Sequence, residues 1–280
     1  MSKTGDRLKE MNFRYKQSLG QNFLYDENLL AAIADLSGVT RDEDVLEIGP
    51  GSGTLTRPLC ERAHHVLSVE LDERLIPLLR AFLHDVTNWS LVQGDIMQLN
   101  LKETVAPLRK PFRVVANIPY YITTPLIQML LQSGLPIQGM ALMVQQEVAE
   151  KMAAAPGTDG WGMLAVRCQY ACEVTIGMEV PAACFTPPPK VNSAVVLLEK
   201  RPTPAVQVKD EALFFRVASA AFALRRKTMV NNLCASLQMT RDAALRLMQT
   251  CNLDEKIRGE KLSLQQLADL ANALALEETV

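Results

Sequence analysis

The residues best equipped for chemistry stand at the ends of four apolar runs. The fourth run, Phe112 to Ala116, is followed at once by Asn117, Ile118, Pro119 and Tyr120, with Tyr121 behind them. The amide oxygen of Asn117 and the main-chain carbonyl of Ile118 are two acceptors, and Pro119 fixes the backbone that aims them. Such a pair suits an amino group whose lone pair is delocalised into a ring. Holding its two hydrogens lets the nitrogen pyramidalise, and Tyr120 offers a flat face on which the ring can stack, worth about 1 to 3 kcal/mol per base at comparable sites. The same residues also fit a plainer role, with Asn117 and Pro119 breaking a strand and the tyrosines capping a core.

The other three run ends carry a second constellation. EIGPGSGTLT places Gly49, Gly51 and Gly53 where a strand must turn sharply into a helix. The spacing is not GxGxxG, and no lysine follows as a P-loop would need. Glu70 closes the second run, 21 residues after Gly49, the separation at which an acid accepts hydrogen bonds from ribose hydroxyls. Asp95 closes the third and can accept from an exocyclic adenine amine. Each acid alone could serve as a helix N-cap. Together, glycines and two acids on three consecutive strand ends describe a cradle for an adenosine-bearing cofactor.

The elements that must position these residues follow from periodicity. DVLEI, HVLSV, WSLVQ and FRVVA are short β-branched runs separated by helical spacing such as DERLIPLLRAFL, which predicts a mostly parallel sheet with helices on both faces. GMALMVQ, a stretch around RCQYACEVTIGMEV, and NSAVVLLEK read as further strands, the last two antiparallel. EKRPTPAVQVKDE interrupts with two prolines. After it the chain reads as helices: one continuous stretch ALFFRVASAAFALRRKTMVNNLCASL, then TRDAALRLMQTC and SLQQLADLANALAL. A domain boundary is therefore expected near Arg201, giving domains 1–200 and 201–280.

Composition narrows the class. With 280 residues, 48% of them hydrophobic and 21% charged, the chain can bury a sizeable core and a smaller second one. Its six cysteines form no CxxC pair and its three histidines no metal-binding pattern, so no metal site or disulfide framework is expected. The charged start MSKTGDRLKEMNFRYK does not resemble a signal peptide, and no run approaches the length of a membrane span; a cytoplasmic protein is expected. The net charge of -2 hides basic clusters in RLKEMNFRYKQ and in Leu224–Lys227. In the continuous helix expected there, Arg226 falls beside Phe222, Met229 and Leu233 as a partly buried ion-pair residue, leaving Lys227 for phosphate.

The motif Asn117 to Tyr120 resembles that of S-adenosylmethionine-dependent methyltransferases acting on exocyclic amino groups. In order and spacing, QSLGQNFLYDENLL, EIGPGSGTLT, ELD, QGDIMQL, NIPYYITTPLI and CFTPPPKVNSAVV resemble the KsgA/RsmA family of ribosomal RNA adenine N6,N6-dimethyltransferases, with the Erm methylases as relatives. The resemblance spans essentially the whole chain. It implies a class I S-adenosylmethionine methyltransferase fold, α/β and Rossmann-like, with a mostly parallel sheet and an antiparallel C-terminal strand, plus a small all-helical C-terminal domain. It further implies S-adenosyl-L-methionine held by residues matching Gln21, Asn22, Leu24, Gly49, Gly51, Glu70, Asp95 and Asn117. The target adenine would stack between Tyr120 and Phe185, beside Ile118 and Pro119. The implied reaction is dimethylation of two adjacent adenosines near the 3′ end of small-subunit rRNA, in an assembling subunit and by a monomer. Arg57 and Asn192 depart from the usual glutamate and aspartate, and Arg57 is expected near the methionine end of the cofactor. Two other readings fit the motifs: adenine-N6 methylation of another RNA or of DNA, and an RNA-binding assembly protein that has lost catalysis.

Overall fold

The computed structural model describes residues 22–277. Nine strands occur among them: β1 Phe23–Leu24, β2 Asp44–Ile48, β3 His65–Glu70, β4 Trp89–Gln93, β5 Phe112–Asn117, β6 Ile137–Gln145, β7 Cys172–Val180, β8 Phe185–Thr186 and β9 Ser193–Lys200. Seven form one sheet in the order β4-β3-β2-β5-β6-β9-β7, and β1 pairs with β8 in a separate two-stranded ribbon. Strands β2 to β6 pair in parallel, whereas β9 runs antiparallel to β6. The chain lays down β2, β3 and β4 outward and then returns to place β5 on the other side of β2. Strand order therefore reverses between β2 and β5, and in open α/β sheets ligands bind at the carboxyl ends of the strands flanking that point.

As a central strand covered on both faces, β2 is buried along its whole length. In β2 even the charged residues are buried: Asp44 accepts from the Arg109 amide at 2.6 Å and meets His64 Nδ1 at 2.7 Å. The flanking helices are α1 Glu27–Leu36, α2 Thr56–Cys60, α3 Ile76–Phe82, α4 Leu101–Thr104 and α5 Thr123–Gln132. Asp26 starts α1 as an N-cap, accepting from the Asn28 and Leu29 amides at 3.0 Å. Leu30 and Ile33 of this helix pack with Val45, Val115 and Val195.

The chain divides into two compact units, 1–149 with 174–200, and 150–173 with 201–280. The expected boundary near Arg201 is thus one of three crossings, the others falling after Ala149 and after Glu173. The physical reason is the core of the second unit. Helix α6, Gln146–Met152, is followed by α7, Met163–Ala171, whose Ala165, Val166 and Tyr170 are buried with Phe214, Val217 and Leu233. Tyr170 stacks on Phe214 at 5.0 Å, and Trp161 Nε1 donates to the Leu262 carbonyl at 3.0 Å. A fragment cut at Lys200 would carry this apolar face without the residues that cover it. The segment RCQYACEV, expected as strand throughout, is helix up to Ala171 because its buried residues follow helical spacing, and strand only from Cys172.

The C-terminal helices are α8 Glu211–Ala223, α9 Met229–Leu237, α10 Arg241–Thr250 and α11 Leu264–Glu277. The single helix expected from Ala212 to Leu237 is two. Leu224 leaves helical geometry, and Thr228 restarts the chain as an N-cap, its side chain accepting from the Asn231 amide. Arg226 consequently lies in an exposed turn, and the ion-pair role drawn from helical spacing does not hold.

Candidate active site

The turn after β2 is built on positive backbone angles. Gly49 has φ +71° and donates its amide to the Val69 carbonyl at 3.0 Å; Gly51 has φ +59°. A Cβ on Gly51 would lie 3.0 Å from the Phe23 ring, so glycine is required there both by conformation and by close approach. Across the switch point, the Asn117 carbonyl is 3.7 Å from where a Cβ on Gly49 would stand. The glycine turn and the Asn-Ile-Pro-Tyr segment, 68 residues apart in sequence, are therefore neighbours.

Glu70 ends β3 with its carboxyl almost wholly buried. It accepts from the Gly51 amide at 3.1 Å and from the Asp72 amide at 2.7 Å. Desolvation pushes its pKa up to about 6, against the pull of those amides. Asp95, half-buried, accepts from the Met97 amide at 2.9 Å and from Gln98 Nε2 at 3.0 Å within the turn that follows β4; no helix starts there, so it is not a helix N-cap, and it stands on the pocket wall. The apolar residues that follow the two acids, Leu71 and Ile96, line the same pocket. Sequence reasoning passed over them, although an apolar side chain directly after each strand-end acid was a usable signal.

Asn117 is half-buried at the end of β5. Its Nδ2 donates to the Asn22 carbonyl at 3.3 Å, while no donor among the described residues bonds its side-chain oxygen. Ile118 is buried and its amide donates to the Met143 carbonyl at 3.1 Å. The Tyr120 hydroxyl and Ser193 Oγ share a hydrogen bond at 2.9 Å, which fixes the ring from its far end; burial raises the phenol pKa. Tyr121, by contrast, is 55% exposed, and faces the charges of Asp95 and Glu70. Phe185 is buried in a cluster with Leu24, Leu30 and Val195, yet also lines the pocket.

One pocket collects Asn22, Leu24, Gly49, Gly51, Glu70, Asp95, Asn117, Ile118, Pro119, Tyr120 and Phe185. Gln21 lies outside the described residues. Glu47, unremarked in the sequence because it sits mid-strand, also reaches the pocket. Its Oε2 accepts from Thr56 Oγ1 at 2.8 Å and Ser68 Oγ at 2.6 Å, and burial raises its pKa to about 7. Arg57 is not part of the pocket lining. It forks onto Asp85 at 2.8 and 3.1 Å and lies 5.0 Å over the Phe82 ring, so the expected influence on the methionine end of a cofactor has no contact to carry it. Asn192 accepts from the Ala182 amide at 3.0 Å, an acceptor role that aspartate could equally fill.

Comparison with known proteins places this arrangement. Residues 12–276 match the model of a family described as ribosomal RNA adenine dimethylase. Proteins named ribosomal RNA small subunit methyltransferase A are similar at high coverage. That of Alkaliphilus metalliredigens is 39% identical over 99% of this chain and 98% of its own, and that of Bacillus mycoides 41% identical over 99% and 97%. Among solved structures, the 23S rRNA methyltransferase ErmE is 28% identical, with a TM-score of 0.72, 91% of this chain and 100% of its own being covered. A dimethyladenosine transferase from Plasmodium falciparum, 24% identical, shares the fold with a TM-score of 0.76 over 89% of this chain and 95% of its own. With a family match across nearly the whole length and a pocket that gathers the strand-end residues, the chain belongs to the ribosomal RNA adenine dimethylase family, enzymes whose methyl donor is S-adenosylmethionine.

Proposed function

We propose that this protein dimethylates N6 of two adjacent adenosines near the 3′ end of small-subunit rRNA, acting as a cytoplasmic monomer on an assembling subunit. The observation that carries the reading is the pair of acceptors at Asn117 and Ile118, set at the switch point beside the glycine turn. S-adenosylmethionine, when bound, supplies a methyl already activated by the positive sulfonium. The glycine turn lets the backbone approach the cofactor, Glu70 takes the ribose hydroxyls and Asp95 the adenine amine. Asn117 Oδ1 and the Ile118 carbonyl take the two hydrogens of the target amine, while Tyr120 and Phe185 hold the flipped base by its faces. No strong general base is needed, since the proton released after transfer can leave to solvent. Incubation with labelled cofactor and unmethylated small subunits, followed by mapping of the methylated nucleotides, tests the reading. Label on large-subunit RNA alone would favour an Erm-type substrate, and no transfer at all would favour an assembly factor.

The burial of Glu70 makes cofactor affinity pH-dependent in a defined direction. Its pKa in the free protein is raised to about 6, so above pH 7 the carboxylate is present and ready to accept. Below 6 the free protein holds a proton that must be lost before both ribose hydroxyls can donate. Affinity should therefore be level from pH 8 to 7 and fall by up to about tenfold per unit beneath 6. Glu70→Gln should bind more weakly at pH 8 and show no such fall. Calorimetric titrations that stay level down to pH 5 in the wild type remove Glu70 from this role.

Recognition of the particle draws on the exposed turn Leu224–Lys227 of the second unit. Arg225 is partly occupied, donating to the Asp159 carbonyl at 3.3 Å, whereas Arg226 and Lys227 are exposed. Lys227→Glu should weaken binding to small subunits and lower the salt dependence by roughly 0.7 to 0.9 per lost phosphate contact, with cofactor affinity unchanged. Binding curves at two salt concentrations that superimpose for mutant and wild type assign the turn to solvent.

A further inference from the structure

The short strand β1 forms one wall of the pocket and is tied to the rest of the site by hydrogen bonds from several elements. The Leu24 carbonyl accepts from Thr54 Oγ1 at 2.9 Å, and the Asn22 carbonyl accepts from Asn117 Nδ2 at 3.3 Å. In the β1–β8 ribbon, Phe23 pairs with Thr186 and Leu24 with Phe185. Three parts of the site thus converge on residues 22 to 24: the glycine turn through Thr54, the amine-holding residue through Asn117, and the aromatic of the base pocket through Phe185. The Phe23 side chain is anchored separately, among Leu75, Leu79 and Leu83.

We propose that Thr54 is a positioning residue for methyl transfer, its hydroxyl fixing the strand whose Asn22 carbonyl orients the Asn117 carboxamide. This role rests on Asn117 Oδ1 holding a hydrogen of the target amine. An asparagine side chain can present either its oxygen or its NH2 to a ligand, and the two ends differ little in shape. The Asn22 carbonyl can only accept, so it selects the orientation in which Nδ2 faces the strand and Oδ1 faces away from it. That selection holds only while the strand stays in register with the glycine turn. Within the turn, Thr54 supplies the hydroxyl that ties the strand down; valine has the same shape and no donor.

The test uses the full-length protein with labelled cofactor and unmethylated small subunits. Thr54→Val should lower kcat by about 3- to 10-fold, the scale of one neutral hydrogen bond, with the KM for the small subunit and the thermal midpoint little changed. Thr54→Ser should restore the rate. Because Thr54 acts through Asn117, adding Thr54→Val to Asn117→Ala should cause no further loss. If Thr54→Val turns over normally, if serine does not rescue, or if the two losses multiply in the double variant, the positioning role is wrong while the reading of Asn117 stands. If Asn117→Ala alone turns over normally, the reading of the site falls and this role falls with it.

Discussion

Asn117→Ala is expected to lower methyl transfer to unmethylated small subunits by at least ~100-fold, the scale seen when one charge-stabilising group is lost from an active site. The side chain contributes at the step where the target nitrogen acquires positive charge, since its oxygen then holds a hydrogen that has become more acidic. The substitution also removes the bond that Asn117 Nδ2 donates to the Asn22 carbonyl at 3.3 Å. Cofactor affinity should therefore slip, but by no more than about tenfold, the worth of one neutral hydrogen bond. Single-turnover rates at saturating cofactor, set beside calorimetric affinities, separate the two effects. A folded variant with near-normal rates would leave the Asn-Ile-Pro-Tyr segment as a strand terminator only. Loss of cofactor binding comparable to the loss of rate would make Asn117 a cofactor ligand rather than a group acting on the amine.

Gly259→Ala is expected to cost the second unit about 3 kcal/mol or more, enough to unfold a marginal domain. A Cβ there would stand 1.9 Å from the Ala221 carbonyl oxygen and 2.5 Å from its carbon. Both are main-chain atoms of α8, so no side-chain rotation relieves the clash. The same oxygen accepts from the buried Asn232 Nδ2 at 3.0 Å, and any retreat of α8 would strain that bond. The loop cannot retreat freely either, because the Met229 amide donates to the Ile257 carbonyl at 2.7 Å and Thr228 forms a β-bridge with Arg258. Gly162→Ala is the matched control. Nothing lies within 4 Å of its added methyl, its backbone is extended, and the cost should be under about 1 kcal/mol. Equal denaturation midpoints for the two variants would show that the 257–261 loop has room the geometry denies it.

The chemistry at the strand ends was legible in the sequence because each piece is local. A glycine turn needs its glycines close together in the chain, and an acid that follows a β-branched run lies at a strand end wherever that strand is placed. Gly49, Gly51, Glu70, Asp95 and Asn117 could thus be named before any sheet order was known, and the parallel sheet itself follows from alternating periodicities. What the tertiary structure decided depends on contacts between residues far apart in sequence. The pairing of Phe23–Leu24 with Phe185–Thr186 involves two-residue strands too short to show any alternation. Glu47 looks like any polar residue of a strand until β3 and α2 bring Ser68 and Thr56 against its carboxylate. The break at Leu224 is hidden because the apolar spacing runs on across it, and only the N-cap at Thr228 and the packing of Gly259 on α8 define two helices instead of one. Segment 150–173 reads as part of the domain that surrounds it in sequence; its apolar face joins the other unit because Phe214, Val217 and Leu233 are what bury it, and burial is settled by the partner a surface finds, not by its place along the chain.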